Sequence, residues 1–228
     1  MGNWIKLTSS DGKELSAYLA KPAARAKGGV VVIQEIFGVN RSIRAVVEWL
    51  AGEGYIAIAP ALFDRFEPGI ELGYDDAGMQ KAFSLYPRLS PDISLKDIAP
   101  AFNHIQGEGK GTAVLGFCYG GLMSWLSATR GPANGFHPTC TVGYYAGGIG
   151  TVAAEAPSCP VQLHFGKSDE HIGSDQVEAV RLAHPDVEIY TYENAGHAFA
   201  NPDRPAYVPE PAKIANERAI EFLKKYLG

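Results

Sequence analysis

The chain has 228 residues, 46% of them hydrophobic and 20% charged. This composition excludes disorder and permits one large buried core. The net charge of −5 argues against nucleic acid, whose phosphate backbone selects basic surfaces. Three widely spaced cysteines, Cys118, Cys140 and Cys159, form no CxxC pair and no zinc pattern. Reduced thiols without a disulfide framework are expected, as in a cytoplasm.

The first residues contain no apolar stretch of signal-peptide length, and Lys6 stands where a myristoylation pattern needs Ser or Thr. No apolar run is long enough to span a membrane. The expectation is a soluble, cytoplasmic, monomeric protein that contacts neither membrane nor nucleic acid. Residues 1–228 read as a single domain.

Residues 4–7 and 15–19 flank an Asp11-Gly12 turn signal and read as an antiparallel hairpin at a sheet edge. The β-branched run at 30–35 predicts a buried strand. Ile43, Val46, Val47 and Leu50 then recur at helical spacing, and Gly52 and Gly54 stop the helix. Further strands are predicted at 55–59, 111–116, 139–145, 161–165 and 187–192. Helices are predicted near 75–86, 93–106, 121–130, 174–183 and 211–227. Alternation at this pace means βαβ units and a mostly parallel sheet with helices on both faces. Residues 61–76, rich in Pro, Gly, Phe and acids, read as a loop over the carboxyl ends of the strands; a proline-punctuated loop follows from 201 to 211.

The strongest local signal is Gly116-Phe117-Cys118-Tyr119-Gly120-Gly121. It is a nucleophile-elbow pattern with cysteine in the serine position. Glycines two residues either side allow a sharp strand-to-helix turn. The helix N-terminus beyond it favours a thiolate and an oxyanion. The alternative is that Gly120-Gly121 only bring a helix close to the sheet, with Cys118 a small buried hydrophobe. The rest of the chain favours chemistry. Asp169 follows a strand, His197 follows another strand and a glycine, and Cys118–Asp169–His197 is the chain order an elbow nucleophile requires.

Glu35, ending the first parallel strand, has two readings: a satisfied salt bridge or helix cap, or a carboxylate that faces Cys118 and manages its proton. Gly166-Lys167-Ser168 is not a P-loop, because Val161 occupies the required glycine position. His164 reads as a core residue. His171 is too near Asp169 in sequence to lie opposite it. Cys140 and Cys159 read as inert thiols. No metal-ligand spacing occurs, and no cofactor is expected.

The QEIFGVN stretch at 34–40, residues 54–60 with Leu62-Phe63-Asp64-Arg65, the cysteine elbow, residues 142–147 and Gly196-His197-Ala198-Phe199 together resemble the dienelactone hydrolase family. The resemblance covers nearly the whole chain and implies an α/β-hydrolase fold. It implies hydrolysis of a small-molecule lactone or activated ester through a thioester. Cys118 would be the nucleophile, His197 the base and acid, and Asp169 the orienter. Glu35 matches the family's glutamate that activates the thiol when substrate binds. The backbone N–H groups of Ile36 and Tyr119 match its oxyanion hole, and Phe37, Tyr144 and Phe199 are expected to contact substrate. Dienelactone-cleaving members hold the substrate carboxylate with arginines, one of them four residues after the histidine. That position is Asn201 here, the nearest arginine is Arg204, and none occurs between Phe66 and Pro87. A neutral ester or lactone is therefore as well supported as an anionic one.

Overall fold

A computed structural model describes residues 1–228. Its strands are β1 (Asn3–Thr8), β2 (Glu14–Ala20), β3 (Gly29–Ile33), β4 (Ile56–Pro60), β5 (Thr112–Phe117), β6 (Thr141–Tyr144), β7 (Val161–Gly166) and β8 (Glu188–Tyr192). The helices are α1 (Arg41–Gly52), α2 (Asp76–Leu85), α3 (Pro91–Ile105), α4 (Tyr119–Arg130), α5 (Ser174–Ala183) and α6 (Pro209–Leu227). The eight strands form one sheet in the order β1-β2-β4-β3-β5-β6-β7-β8. The pairs β1–β2 and β2–β4 are antiparallel, and the others are parallel. This is the expected α/β-hydrolase architecture, with the hairpin at the edge.

The central strands form because they are covered on both sides. Every residue of β3, β4, β5, β6 and β7 is buried, as their continuous apolar runs require. The cluster they anchor contains 65 buried residues. Helix α1 begins where the Asn40 side chain accepts the Ile43 N–H. Ile43, Val47 and Leu50 are buried, whereas Val46 and Trp49 are only half-buried. No helix is long and apolar enough to cross a membrane.

The topology creates the site. From β3 the chain passes through α1 to β4 on one side, and β5 later pairs on the other. At such a switch point a crevice opens beyond the carboxyl ends of the strands. The residues that follow β3 and β5 are therefore brought together. The 61–76 segment is a loop there, with one short helical turn at Leu62–Arg65. It is strapped down by Leu72 N–H to Phe37 O at 2.9 Å and by Asn40 Nδ2 to Leu72 O at 2.9 Å.

Several boundaries differ from the sequence reading; β3 ends at Ile33, so Gln34 and Glu35 lie in the turn beyond the strand. Helix α4 starts at Tyr119 rather than 121 because Cys118 itself makes the turn. Strand β6 ends at Tyr144 because Tyr145 adopts a φ of +37° and leaves the sheet. Helix α6 starts at Pro209, whose fixed φ suits a first helical turn.

Candidate active site

Cys118 stands between β5 and α4 with φ +55° and ψ −115°. A non-glycine residue rarely takes this conformation, and it is held here by its surroundings. Its N–H donates to Tyr144 O at 3.0 Å, and its carbonyl accepts from Leu122 N at 3.1 Å. The flanking glycines permit the turn. A Cβ on Gly116 would lie 2.0 Å from Gly120 O, and one on Gly120 would lie 2.3 Å from Ile33 O. Cys118 remains partly exposed. Burial pushes the Cys140 and Cys159 thiols up, so both stay protonated.

Asp169 follows β7 and is buried. Its Oδ2 accepts from His197 Nδ1 at 2.9 Å. Its Oδ1 accepts the backbone N–H groups of His171 at 2.8 Å and Ile172 at 3.2 Å. Burial alone would raise this carboxyl; the hydrogen bonds and the His197 charge outweigh it, and the pKa falls below the usual value. Gly166 lets the histidine loop close on β7, since a Cβ there would lie 2.2 Å from Ala195 O. Burial would depress His197. The Asp169 hydrogen bond and the adjoining Cys118 sulfur overcome that effect and raise its pKa to about 10. An imidazolium is thus favoured between carboxylate and thiol.

Two backbone N–H groups expected at the site are left without an acceptor. Tyr119 opens α4, where the first N–H groups have no acceptor within the helix. Ile36 lies in the turn after β3, and its N–H donates to no other group in the protein.

Glu35 is 3% exposed and makes no ion pair. Its Oε2 accepts from the Tyr74 hydroxyl at 3.1 Å and from Asn201 Nδ2 at 3.1 Å. Asn201 also donates to the Tyr74 hydroxyl at 2.8 Å. Burial raises the Glu35 pKa, opposed in turn by the Arg204 charge, the Tyr74 hydroxyl, the His197 charge and Asn201. Neither a salt bridge nor a helix cap accounts for this carboxyl.

Sequence comparison matches almost the whole chain. The profile of the dienelactone hydrolase family covers residues 15–227. The chain belongs to that family. Carboxymethylenebutenolidases of Pseudomonas putida and Pseudomonas knackmussii are each 31% identical to it over 229 residues, covering 96% of this chain and 94% of theirs. A solved structure assigned as a dienelactone hydrolase from Klebsiella pneumoniae superposes with a TM-score of 0.81 at 30% identity, covering 98% of this chain and all of that one. A dienelactone hydrolase-like promiscuous phosphotriesterase from metagenomic libraries shares the fold, with a TM-score of 0.77 at 20% identity, covering 100% of this chain and 99% of that one. This dienelactone hydrolase family member is a carboxylic ester hydrolase of the lactone or ester class.

The structure brings Asp169 to His197 and His197 beside Cys118, with Glu35 near enough for the His197 charge to act on it. Tyr144 and Phe199 are placed differently from expectation. Tyr144 is fully buried, stacks between Phe117 and His164, and donates its hydroxyl to Asn216 Oδ1 at 3.0 Å. Phe199 is fully buried against Tyr145 and Tyr192. Both support the site from the core. His164 lies in the core as expected, between Gln162 and the Tyr192 hydroxyl. Burial, reinforced by the Arg218 charge, lowers its pKa to about 3.

Sequence reasoning missed Tyr74, Tyr86 and Tyr145. Tyr145 meets His197 edge-on at 5.2 Å. The ring of Tyr86, 44% exposed, meets Tyr119 edge-on at 6.0 Å. Tyr145 lies in the 142–147 stretch but no motif gives it a role, and none marks Tyr74 or Tyr86, because their positions depend on loops. In sequence, Arg204 is not at the position four residues after His197, which is Asn201. In space its guanidinium lies over the rings of Phe37 and Tyr74, 5.2 and 5.1 Å from their centroids. It makes no carboxylate ion pair, and its Nε has no hydrogen-bond partner.

Proposed function

We propose that this protein hydrolyses a lactone or activated ester bearing an anionic group, through a Cys118–His197–Asp169 triad and a thioester acyl-enzyme. The observation that carries the reading is the 2.9 Å His197–Asp169 hydrogen bond directed at a cysteine held in a strained elbow. The Cys118 thiolate attacks the carbonyl carbon and forms a C–S bond. The carbonyl electrons move onto oxygen, which the N–H groups of Ile36 and Tyr119 stabilise; one such donor is worth about 3–4 kcal/mol. The C–O bond then breaks, and the leaving oxygen takes a proton from His197. Water next gives a proton to His197 and attacks the thioester. The C–S bond breaks and the thiolate returns. Asp169 keeps the imidazole oriented with Nε2 toward the sulfur. Glu35 acts from behind Tyr74 and Asn201. Its charge favours the imidazolium in the resting enzyme, and family resemblance assigns it thiol activation when substrate binds.

Arg204 favours an anionic substrate over a neutral one. A guanidinium without a carboxylate partner, stacked on two aromatic rings at the crevice, is suited to hold a carboxylate. A panel of lactones and aryl esters, each with and without a carboxylate, tests the reading. Preference for the carboxylated members is expected, together with a trapped acyl adduct on Cys118 detected by mass spectrometry. Cys118→Ala is expected to lose roughly 10⁴-fold or more in kcat. Ordinary turnover by that variant would refute the assignment.

A further inference from the structure

Glu35 is buried, yet its only hydrogen-bond donors are neutral. Buried carboxyls are ordinarily paired with a cation. Arg204 is near enough for its charge to act on Glu35 but makes no ion pair with it. Its guanidinium lies over the rings of Phe37 and Tyr74 instead. A carboxyl left in this state is costly unless its charge has work to do.

The two donors come from loops far apart in sequence. Tyr74 belongs to the 61–76 loop, and its ring meets Phe37 edge-on at 4.7 Å. Asn201 belongs to the turn after His197. It is fixed there by its own N–H, which donates to Ala198 O at 3.0 Å, and by its Oδ1, which accepts from Asp203 N at 3.0 Å. With Glu35 the two close a triangle. The Tyr74 hydroxyl donates to Oε2 at 3.1 Å, and Asn201 Nδ2 donates to Oε2 at 3.1 Å and to the Tyr74 oxygen at 2.8 Å.

The direction of these bonds is fixed by the donor inventory. The amide nitrogen can only donate, so the Tyr74 oxygen accepts from it and gives its single hydrogen to Glu35. Oε2 therefore takes two donors and has no place for a proton. Oε1 accepts no bond from the protein, so the proton is taken up and released there. Glu35 also lines a cavity of about 280 Å³ with Phe117, Tyr145, Trp49, Arg41 and Asp203. The titratable or charged groups around this carboxyl are thus Tyr74, Tyr145, His197, Arg204, Arg41 and Asp203.

We propose that Tyr74 and Asn201 are positioning residues for hydrolysis. They hold Glu35 Oε2 as a fixed acceptor, confine its proton to Oε1, and set the pH range over which its charge supports the Cys118 thiolate and His197 imidazolium. This rests on the triad reading above. Burial favours the neutral carboxyl, and both hydrogen bonds oppose it. Removing either donor lets Glu35 stay protonated to higher pH, so the loss of rate is greatest under acidic conditions.

The test is the pH profile of p-nitrophenyl acetate hydrolysis from about pH 5 to 9, since kcat/KM reports the groups of the free enzyme. Tyr74→Phe keeps the ring and removes the hydroxyl. Asn201→Asp keeps the acceptor for Asp203 N and turns a second carboxylate oxygen toward Oε2. Each is expected to move the acid limb up by roughly one pH unit. The loss is expected in kcat, with KM changed less than about twofold. In a Glu35→Gln background each is expected to cost less than about twofold at any pH. Cys118→Ala, run alongside, is expected to be inactive. Losses that persist in the Glu35→Gln background, or that are equal at every pH in variants whose melting curves match the parent, would overturn this inference and leave the triad standing. Turnover surviving in Cys118→Ala would overturn the triad, and this inference with it.

Discussion

Asn201 reaches Glu35 across 166 residues of sequence, its Nδ2 lying 3.1 Å from Oε2. The same nitrogen lies 2.8 Å from the Tyr74 hydroxyl, which itself donates to Glu35. The carboxyl is thus solvated by neutral donors and not by a paired cation. The Arg204 charge, these neutral donors and the His197 charge only partly offset burial, so its pKa stays above the ordinary value.

That relationship has a consequence for stability. A carboxyl with a raised folded pKa binds its proton more tightly in the folded state than in the unfolded one. Its contribution is full below the unfolded pKa near 4.5 and is lost as pH rises through the folded value. Glu35→Gln, always neutral, is therefore expected to melt higher than the parent at pH 8 and equally at pH 4. Each kcal/mol is worth about 2–4 °C at this chain length. Melting curves at the two pH values check this, alongside an expected loss of hydrolytic rate.

Asp169→Asn removes the acceptor for His197 Nδ1 and presents an amide that favours the wrong tautomer. A fall in kcat of about 10⁴-fold is expected, with the backbone preserved. Steady-state kinetics measure the loss. A folded variant retaining most of its activity would mean that Asp169 does not orient the histidine.

Arg204→Gln removes the guanidinium but keeps a polar side chain over Phe37 and Tyr74. A charge-assisted contact of about 1.5–3 kcal/mol predicts a fall of roughly 10- to 150-fold in kcat/KM for carboxylated esters. Neutral esters of the same leaving group should change little. Equal losses on both would place Arg204 in a general structural role.

Gly120→Ala tests the elbow. The new methyl would meet Ile33 O at 2.3 Å, backbone against backbone, with no flexible side chain to yield. Destabilisation of about 1–3 kcal/mol or more is expected, together with loss of activity as Cys118 is displaced. Urea denaturation reads the first effect and ester turnover the second. A variant within about 0.5 kcal/mol of the parent would show that the helix and β3 can separate cheaply.

The sequence alone determined the class of sheet, the edge hairpin and the residues of the candidate triad. These are local signals: a buried β-branched run at 30–33, a buried, mostly apolar run at 112–117, glycines spaced around Cys118, and acid and histidine in order after strands. The choice between Tyr144 and Tyr145 was not local. Alternation along β6 sends Tyr144 into the core, and the positive φ of the next residue carries Tyr145 to His197. Counting four residues past His197 found Asn201 and no arginine. The loop instead turns at Ala198, with φ +64°, bringing Asn201 to Glu35 and laying Arg204 over Phe37 and Tyr74. The surroundings of Glu35, the position of the Arg204 guanidinium and the cavity lined by Tyr145 were decided only by tertiary structure. They arise where loops distant in sequence converge at the switch point, and no spacing within one segment encodes where another segment will lie.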